Sequence, residues 1–524
     1  MKKIILTLTF LGLVVISFVI VIRSSTYNPP QVEDLREKYT KKRISSVDHS
    51  RFAVLDRNFQ SPQQVTATCI SCHTERHKEV INSSHWNWER PEYIDGKGIV
   101  YLGKKNAVNN FCIGTQTNEQ ACAKCHIGFG MSEQGFSFTD STNIDCMVCH
   151  DNSGSYVKAN NKAGYPDPAL NLNTIAQHIG RPTRDNCGVC HFYGGGGNNV
   201  KHGDLDMEMF QPDRDLDVHM ATNGADLVCV DCHETEKHQI KGKVYSLASM
   251  NVNRSTCEQC HTERPHADEI TNEHTIKVAC QTCHIPVYAK ANSTKLYWDW
   301  STAGKLQNGK PYTEEDSLGN HTYMSIKGSF QWGNNLEPDY IWFDGTADHY
   351  LLGDKIQDTT KALVLNQLNG SYDKRNAQII PVKIHKAKQI YDPVNMHLIQ
   401  PNLYAAQAGE GAFWKDFDWS RASEIGMKKI GLPYSGQYAF IETQMFWPIN
   451  HQVSPKEESL KCVDCHVREN GRLAGLTDFY MPGRDFNPWV EKIGAAVILF
   501  SLLGILVHGS VRIAMSFKNK KRDQ

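Results

Sequence analysis

The stretch Cys69-Ile70-Ser71-Cys72-His73 holds two thiols three positions apart and a histidine directly after the second thiol. The same Cys-x-x-Cys-His arrangement occurs eight times and uses sixteen of the 17 cysteines, leaving Cys112 outside. In chain order the copies are Cys69/Cys72/His73, Cys122/Cys125/His126, Cys146/Cys149/His150, Cys187/Cys190/His191, Cys229/Cys232/His233, Cys257/Cys260/His261, Cys280/Cys283/His284 and Cys462/Cys465/His466. Whatever these copies bind determines what most of the chain folds around.

This spacing is the one that covalent haem attachment requires. Two thiols three positions apart add across the two vinyl groups of one porphyrin, and the adjacent histidine ligates the iron. Zinc knuckles also use Cys-x-x-Cys pairs, but they need no histidine after each second cysteine. A disulfide scaffold normally belongs to a much shorter chain. The sequence therefore predicts eight haem c groups, each with its motif histidine as the proximal ligand.

The composition is polar for a chain of this length. Mean hydropathy is -0.47, although both ends of the chain are strongly apolar. A folded body with so little apolar sequence has a thin core unless buried porphyrins supply apolar surface. Haem propionates also give lysines and arginines ordinary partners, so the basic clusters in a chain of formal charge -1 do not predict nucleic-acid binding.

The two ends predict membrane anchors. Residues 1–23 combine two N-terminal lysines with an apolar run and lack a small-x-small cleavage site, which favours an uncleaved signal anchor. Asn487-Pro488-Trp489 predicts the start of a second membrane helix over 487–516. The basic tail 517–524 stays in the cytoplasm, so the body faces the periplasm at a bacterial inner membrane.

The remaining chain divides by its motifs. A polar tether is expected at 24–66, a seven-haem region at 67–290, an aromatic-rich region without motifs at 291–450, and the eighth-haem segment at 451–486. The motif spacing is irregular, which argues against a repeat solenoid. The expected fold is mainly α with extensive irregular loops, a multihaem c-type cytochrome fold built around stacked haems.

Further histidines are needed as distal ligands, because a haem with histidine on both faces passes electrons whereas an enzyme needs one iron with an open or weakly held position. The better candidates are His85, His178, His202, His219, His238, His266, His274 and His451. Weaker candidates are His49, His77, His321, His349, His385 and His397. Counting histidines does not separate an enzyme from an electron conduit.

Several segments together resemble the octahaem tetrathionate reductase family of c-type cytochromes. They are Asn109-Asn110-Phe111-Cys112, Asp145-Cys146-Met147-Val148-Cys149-His150-Asp151 with Gly154-Ser155-Tyr156-Val157-Lys158, Asp392-Pro393-Val394-Asn395, and Ala412-Phe413-Trp414-Lys415-Asp416-Phe417-Asp418-Trp419. The resemblance covers most of the body, from about Cys69 to His466, and it implies a haem packing like that of the hydroxylamine oxidoreductases.

The resemblance also implies an active site. The haem on Cys122/Cys125/His126 is the catalytic one, with Lys158 as its distal ligand and Lys162 as the second choice. Asn109 and Cys112 are placed near this haem. A neutral amine ligates iron less firmly than a second imidazole, so a substrate can displace it.

Related octahaem enzymes differ in informative ways. Octahaem nitrite reductases attach their catalytic haem through Cys-x-x-Cys-Lys, whereas every motif here ends in histidine. Hydroxylamine oxidoreductases depend on a tyrosine cross-linked to the porphyrin, a role for which Tyr434 and Tyr438 stay open.

The expected function is a periplasmic reductase that takes electrons from a quinol-linked membrane cytochrome and reduces a small inorganic substrate. Tetrathionate is the first candidate, with nitrite and hydroxylamine as others. The alternatives are an electron conduit in which every haem has two histidine ligands, and an oxidase running in the reverse direction.

Two smaller features have open interpretations. The acidic run Asp204, Asp206, Asp213, Asp215 and Asp217 suits either a calcium site or, more ordinarily, a solvated loop. His508 and Arg512 in the C-terminal span either snorkel toward the headgroups or take part in docking or haem ligation.

Overall fold

A computed structural model describes residues 47–111, 114–132, 135–242 and 252–520 of the chain. The signal anchor expected at 1–23, most of the tether expected at 24–66, and Cys112 lie outside the described residues. The chain divides into two compact units, Met1–Ser459 and Leu460–Gln524.

Short helices carry most of the haem motifs of the first unit. Helix α1 (Pro62–Cys72) begins at Ser61, whose hydroxyl accepts from the Gln64 N–H at 3.3 Å, and its first residue is a proline, which suits a helix start. A helical turn places residues i and i+3 on one face, so both motif thiols point the same way. The other helices of this part are α2 (Arg76–Ile81), α3 (Ser84–Asn87), α4 (Glu119–Cys122), α5 (Met147–His150), α6 (Leu172–Gln177), α7 (Arg184–His191), α8 (Cys229–Cys232), α9 (Glu269–His274) and α10 (Cys280–His284).

Two small antiparallel hairpins lie among these helices. They are β1 (Glu89–Ile94) with β2 (Gly98–Gly103), and β3 (Thr235–Glu236) with β4 (Gln239–Ile240). The first hairpin follows α3 directly and leads into the Asn109-Asn110-Phe111 segment.

The expectation of a mainly α fold is wrong for the aromatic-rich region, which forms a ten-stranded mixed sheet. Its strands run in the order β10-β11-β14-β12-β5-β8-β7-β6, and β9 and β13 also pair with β12. The strands are β5 (Thr294–Asp299), β6 (Thr313–Glu315), β7 (His321–Met324), β8 (Gly328–Gly333), β9 (Asp339–Phe343), β10 (Ala347–His349), β11 (Leu363–Leu368), β12 (Gln378–Asp392), β13 (His397–Leu398) and β14 (Ala439–Pro448).

The long strand β12 shows why the pattern of hydrophobic residues does not predict this sheet. Its alternate buried positions include Lys383, His385 and Gln389, which are polar. Each has a partner elsewhere in the chain: Lys383 Nζ donates to Thr294 Oγ1 at 2.6 Å, and Gln389 Nε2 donates to the Asn109 carbonyl at 2.8 Å. A buried polar group is tolerated when it is hydrogen-bonded, so the strand forms without an apolar repeat.

An aromatic core covers the same sheet. Trp298 stacks on Trp300 with ring centres 4.5 Å apart, and Phe413 stacks on Trp419 at 3.7 Å. Phe413 lies in α11 (Phe413–Asp416), and Trp419 begins α12 (Trp419–Lys429). Such pairs contribute about 1 kcal/mol each beyond the burial of their area.

The second unit contains the eighth motif and one long helix. The motif lies on α13 (Cys462–Cys465), and α14 (Pro488–Lys520) follows it. Asn487 Oδ1 accepts from the Trp489 N–H at 3.0 Å, as expected of a residue that caps the helix. Residues Pro488–Phe517 are long and apolar enough to cross a membrane, with mean hydropathy 2.2.

Candidate haem sites and active site

The motif cysteines of the first unit lie next to cysteines of other motifs. The thiols of four pairs of motif cysteines lie close enough for each to shift the pKa of the other: Cys69 and Cys146, Cys125 and Cys190, Cys187 and Cys229, and Cys257 and Cys280. Each contact brings two motifs that are separate in sequence to one place. The fourth motif, on α7, contacts both the second and the fifth.

The second cysteines of the sixth and seventh motifs, Cys260 and Cys283, lie in two different kinds of turn. Cys260 follows a 3-10 turn over Cys257–Gln259, and its N–H donates to the Cys257 carbonyl at 3.1 Å. Residues i and i+3 of a 3-10 turn eclipse one another, so these two thiols still share a face. Cys283 lies on the α-helical turn α10. The sixth motif therefore departs from the α-helical turn of the seventh but keeps the arrangement that one porphyrin needs.

Both of these thiols are half-buried. Burial, with a smaller contribution from the charge of Cys260, raises the pKa of the Cys232 thiol to about 11. The contribution from Cys260 indicates that the fifth and sixth motifs lie near each other. The thioether roles of both cysteines, which the sequence spacing predicts, stay predictions.

Six proximal histidines face a second imidazole. Because metal–imidazole bonds are about 2 Å long and each nitrogen lies about 1 Å from its ring centre, two imidazoles on one iron have ring centres about 6 Å apart. The observed separations are 6.3 Å for His49 and His73, 6.2 Å for His85 and His191, 6.5 Å for His150 and His238, 6.1 Å for His219 and His261, 6.2 Å for His233 and His451, and 6.1 Å for His266 and His284. These residues fit a haem iron between each pair.

Some of the predicted distal histidines face a motif histidine and others do not. His85, His219, His238, His266 and His451 each face a motif histidine, and so does His49, which had ranked among the weaker candidates. The ring of His202 instead packs on Trp447 at 5.1 Å. His178 and His274 direct Nδ1 to the carbonyl four residues earlier, at 2.7 Å in both cases.

Hydrogen bonds orient several proximal ligands. His150 Nδ1–H donates to the Gly180 carbonyl at 2.9 Å, and His233 Nδ1–H donates to the Lys241 carbonyl at 2.9 Å. In the second unit, His466 Nδ1–H donates to the Pro482 carbonyl at 2.6 Å. An Nδ1–H held in this way fixes the tautomer and leaves Nε2 free for a metal.

His126 has a different environment. Its ring is fully buried between Trp86, at 5.4 Å, and Trp88, at 4.9 Å, with Phe136 and Phe138 at its edges. In the described part of the chain its ring packs on these aromatic groups and not on a second imidazole, and its Nε2 lies 2.6 Å from the Trp86 carbonyl oxygen. Burial lowers the pKa of His126 to about 4, which favours the neutral imidazole.

Lys158 lies beside His126. Its Nζ donates to the His126 carbonyl and lies 3.2 Å from Asp145 Oδ2, with 4% of the lysine side chain and none of the aspartate side chain exposed. The Tyr156 hydroxyl donates to the same carboxylate oxygen. Lys162, the second choice, is exposed.

The segment before the second motif borders a small cavity. It is lined by Lys104, Ala107, Asn109, Phe111, Lys201, Met445 and Trp447. Asn109, the third predicted site residue, therefore borders the cavity. The lysine Nζ atoms of Lys104 and Lys201 lie 5.1 and 5.5 Å from the centre of the Phe111 ring, and burial followed by the charge of Lys104 lowers the pKa of Lys201.

Strand β12 holds the segment that borders the cavity. Asn110 Nδ2 donates to the His385 carbonyl at 2.7 Å, and His385 Nδ1 lies 3.1 Å from Asn110 Oδ1. The sheet that sequence reasoning missed is therefore what positions Asn109 and Phe111.

The acidic run does not form one cluster. Asp204 receives hydrogen bonds from His451 and from two backbone N–H groups, and Asp206 receives them from the Glu208 N–H, Asn292 and Gln452. Asp217 caps the backbone at His219. No group of three or more ligating side chains converges on one point within the described ranges, and the calcium site stays a prediction.

The two open tyrosines lie near the aromatic core. Tyr434 packs against the cluster that contains Trp300 and Trp419, and Tyr438 is 41% exposed and contacts the Phe440 ring at 6.0 Å.

Comparison with known proteins defines the class. Residues 295–469 match the family model described as bacterial cytochrome c. Together with the repeated motifs and the paired imidazoles, this match makes the protein a multihaem c-type cytochrome with covalently bound haem c.

A solved structure defines the family. The octahaem cytochrome c from Shewanella oneidensis is 41% identical, with a TM-score of 0.77 over 84% of this chain and 98% of that one. An uncharacterised protein from Archaeoglobus fulgidus is 26% identical over 243 residues, which are 37% of this chain and 80% of that protein. The chain belongs to the octahaem cytochrome c family, so the predicted octahaem resemblance is confirmed.

Proposed function

We propose that this protein is a periplasmic reductase of anaerobic respiration, anchored in the inner membrane, with eight haems of which the one on Cys122/Cys125/His126 is catalytic. Electrons come from a quinol-linked membrane cytochrome and reach a small inorganic substrate. Tetrathionate is the first candidate, and its two-electron reduction cleaves the central S–S bond to give two thiosulfates. Nitrite and hydroxylamine are the other candidates.

The observation that carries the proposal is the contrast between His126 and the six paired histidines. Six motif histidines have a second imidazole at the separation that an intervening iron would require, whereas the described residue beside His126 that suits ligation is Lys158. An iron held by histidine on both faces only passes electrons, so chemistry is expected where the second ligand is weaker.

Asp145 and Tyr156 give Lys158 a second stable position. A lysine ligates only as a neutral amine, and a lysine displaced by substrate gains a proton. The Asp145 carboxylate, 3.2 Å from Nζ, suits the resulting ammonium, and the Tyr156 hydroxyl stabilises the carboxylate charge. Lys158 thereby holds a proton at Nζ, next to the site of reduction.

The thiol contacts support a path for electrons. Cys125 contacts Cys190, and Cys187 contacts Cys229, so the second, fourth and fifth motifs form a continuous series. Haem, when bound, supplies the one-electron carriers of this series. The described residues thus support delivery of electrons from several carriers to the site beside His126.

The competing function is an electron conduit in which all haems have two histidine ligands. Ferric EPR of the purified holoprotein separates the two. The reductase is expected to show one haem whose spectrum differs from the bis-imidazole signals and changes when nitrite is added. Bis-imidazole signals alone, with no spectral response to nitrite, would establish the conduit.

Lys158→Leu tests the ligand directly, with Lys162→Leu as its matched control. Leucine is apolar and has no atom that ligates iron, so the Lys158 variant is expected to change the signal of one haem and leave the others as they are. Lys162→Leu should keep the wild-type spectrum. A change in Lys162→Leu alone would transfer the ligand role to Lys162.

Turnover separates the substrates. Steady-state rates with tetrathionate, nitrite and hydroxylamine, each followed in both directions, should be highest for reduction of one of them, and that rate should fall in Lys158→Leu. Faster oxidation than reduction for all three contradicts the proposed direction.

A further inference from the structure

We infer that Asp204 is a positioning residue that lowers the reduction potential of the haem on Cys229/Cys232/His233 through its hydrogen bond to the distal ligand His451. The potential of this haem does not depend on the proposed function, whereas the direction of electron flow discussed below rests on it.

The contact is buried and specific. Asp204 Oδ2 accepts from His451 Nδ1 at 3.1 Å, from the His451 backbone N–H at 2.9 Å, and from the Asn450 N–H at 2.7 Å. The Asp204 side chain is 2% exposed. The carboxylate therefore fixes both the loop and the ring orientation, which leaves Nε2 of His451 available for an iron that would lie between it and His233, whose ring centre is 6.2 Å away.

The acceptor distinguishes His451 from other ligands. The Nδ1–H groups of His150 and His233 donate to neutral backbone carbonyls. His238 also has a carboxylate, Glu79, at 2.8 Å, but Arg76 lies 2.9 Å from Glu79 and offsets its charge. Within the described ranges the ion-pair partner of Asp204 is His451 itself.

The buried lysine Lys383 directs its hydrogen bonds away from Asp204. Its Nζ donates to the Val200 carbonyl at 2.8 Å, to the Lys201 carbonyl at 3.2 Å and to Thr294 Oγ1 at 2.6 Å. These three acceptors satisfy the three donors of a lysine, and Asp204 is not among them.

A negative charge on the far side of an axial imidazole makes the ring a stronger electron donor. Greater donation stabilises ferric over ferrous iron and lowers the potential, and the effect is larger where water is excluded. His219 Nδ1 also has a buried carboxylate nearby, Asp217, but the distance of 4.0 Å is beyond hydrogen-bond range. Among the six imidazole pairs, the one whose distal Nδ1–H donates to an uncompensated buried carboxylate should therefore belong to a haem of low potential.

Because of where this haem lies in the series of motifs, its reduction potential affects the direction of electron transfer. Its Cys229 contacts Cys187 of the fourth motif, whose Cys190 contacts Cys125 of the catalytic motif. Electrons move spontaneously from low to high potential. A low potential at the fifth motif makes transfer toward the second motif favourable in the direction of substrate reduction.

Asp204→Asn in the full-length holoprotein is the test. Asparagine keeps an acceptor oxygen and removes the charge. At a fixed applied potential the ratio of reduced to oxidised haem should rise about tenfold for one haem, a shift of about 59 mV for a one-electron centre. Spectroelectrochemical titration followed by EPR of the poised samples measures this.

Controls separate tuning from folding. Asp206→Asn alters a fully buried neighbour that contacts the backbone and amides but not a histidine, and it should leave every potential unchanged. Glu79→Gln should raise the reduction potential of the haem on Cys146/Cys149 by less than Asp204→Asn raises that of its own haem, because Arg76 already offsets the charge of Glu79.

Several results would overturn the inference. They are unchanged potentials in Asp204→Asn with full haem content, an equal shift in Asp206→Asn, and loss of one bis-imidazole signal, which means that Asp204 only holds the loop. If the asparagine variant loses haem, Asp204→Ser, which offers a neutral hydroxyl acceptor, takes its place with the same expected upward shift and the same contrary result.

Discussion

Asp145 shows how one residue connects two haem motifs. It directly precedes Cys146 of the third motif, its Oδ1 accepts from the Val148 N–H at 3.2 Å, and its Oδ2 lies 3.2 Å from Lys158 Nζ beside the second motif. The same carboxylate therefore accepts from the helix of one motif and pairs with the lysine beside another; in the proposed mechanism it would stabilise that lysine once substrate displaces it.

Removing that charge should tighten the lysine on the iron. In Asp145→Asn the ammonium form loses a charge-assisted partner worth about 2 kcal/mol, so nitrite should bind the ferric haem roughly thirtyfold more weakly. Absorbance titration of the oxidised holoprotein with nitrite measures the change.

Asp151→Asn is the matched control. Asp151 lies in the same segment and accepts from the Ser153 and Tyr156 N–H groups, not from Lys158. The Asp151→Asn variant should bind nitrite as tightly as wild type does. Equally weakened nitrite binding in both variants would assign the effect to distortion of the segment.

The residues that could be predicted from sequence are those whose chemistry is local. Covalent attachment needs two thiols and a histidine within five positions, so the motifs are readable directly. Distal ligands come from elsewhere: His85 faces His191, and His451 faces His233. No spacing rule connects residues so far apart, which is why His49 was ranked low and the role of Asp204 was missed.

At the scale of elements, the turn after β12 depends on one carboxylate. Asp392 is fully buried and accepts from the N–H groups of Val394, Asn395 and Ser435 at 2.9, 2.8 and 2.7 Å. Burial opposes its ionisation, but hydrogen bonds from Asn395 and Ser435 outweigh that effect and lower the pKa of Asp392 to about 2.

This pKa predicts a stability change in acid. A carboxyl with a depressed folded pKa stabilises the protein above its unfolded pKa, near 4, and the contribution of about 2 kcal/mol disappears as the pH falls toward 2. Asp392→Asn should lower the free energy of unfolding at pH 7, and the difference from wild type should shrink between pH 4 and pH 2. Urea unfolding followed by far-UV circular dichroism at each pH measures it, and a difference that persists unchanged at pH 2 contradicts the assignment.

The sheet itself was not predicted because hydrophobic alternation is a signal only when apolar side chains fill the buried face. In β12 that face carries Lys383, His385 and Gln389, each paired with a distant segment. Tertiary hydrogen bonds thus replace the apolar pattern. Helix α14, whose apolar span and cap are both local, was predicted almost to its first residue.

At the scale of the molecule, α14 carries a topological prediction. A reporter fused after Gln524 should stay in the cytoplasm, and one fused after Phe486 should be exported. Two arginines introduced as Leu502→Arg and Leu506→Arg raise the insertion cost by about 5 kcal/mol, which should prevent the helix from crossing. The Gln524 fusion should then change sides, as measured with an alkaline phosphatase reporter, and a Leu502→Ala/Leu506→Ala control should not.

Helix α7 is short, yet its two cysteines contact motifs on either side of it, Cys187 toward Cys229 and Cys190 toward Cys125. One rigid helical turn thus sets two neighbouring gaps at once. A displacement of this turn would therefore change the rate of electron transfer on both sides of the fourth motif together.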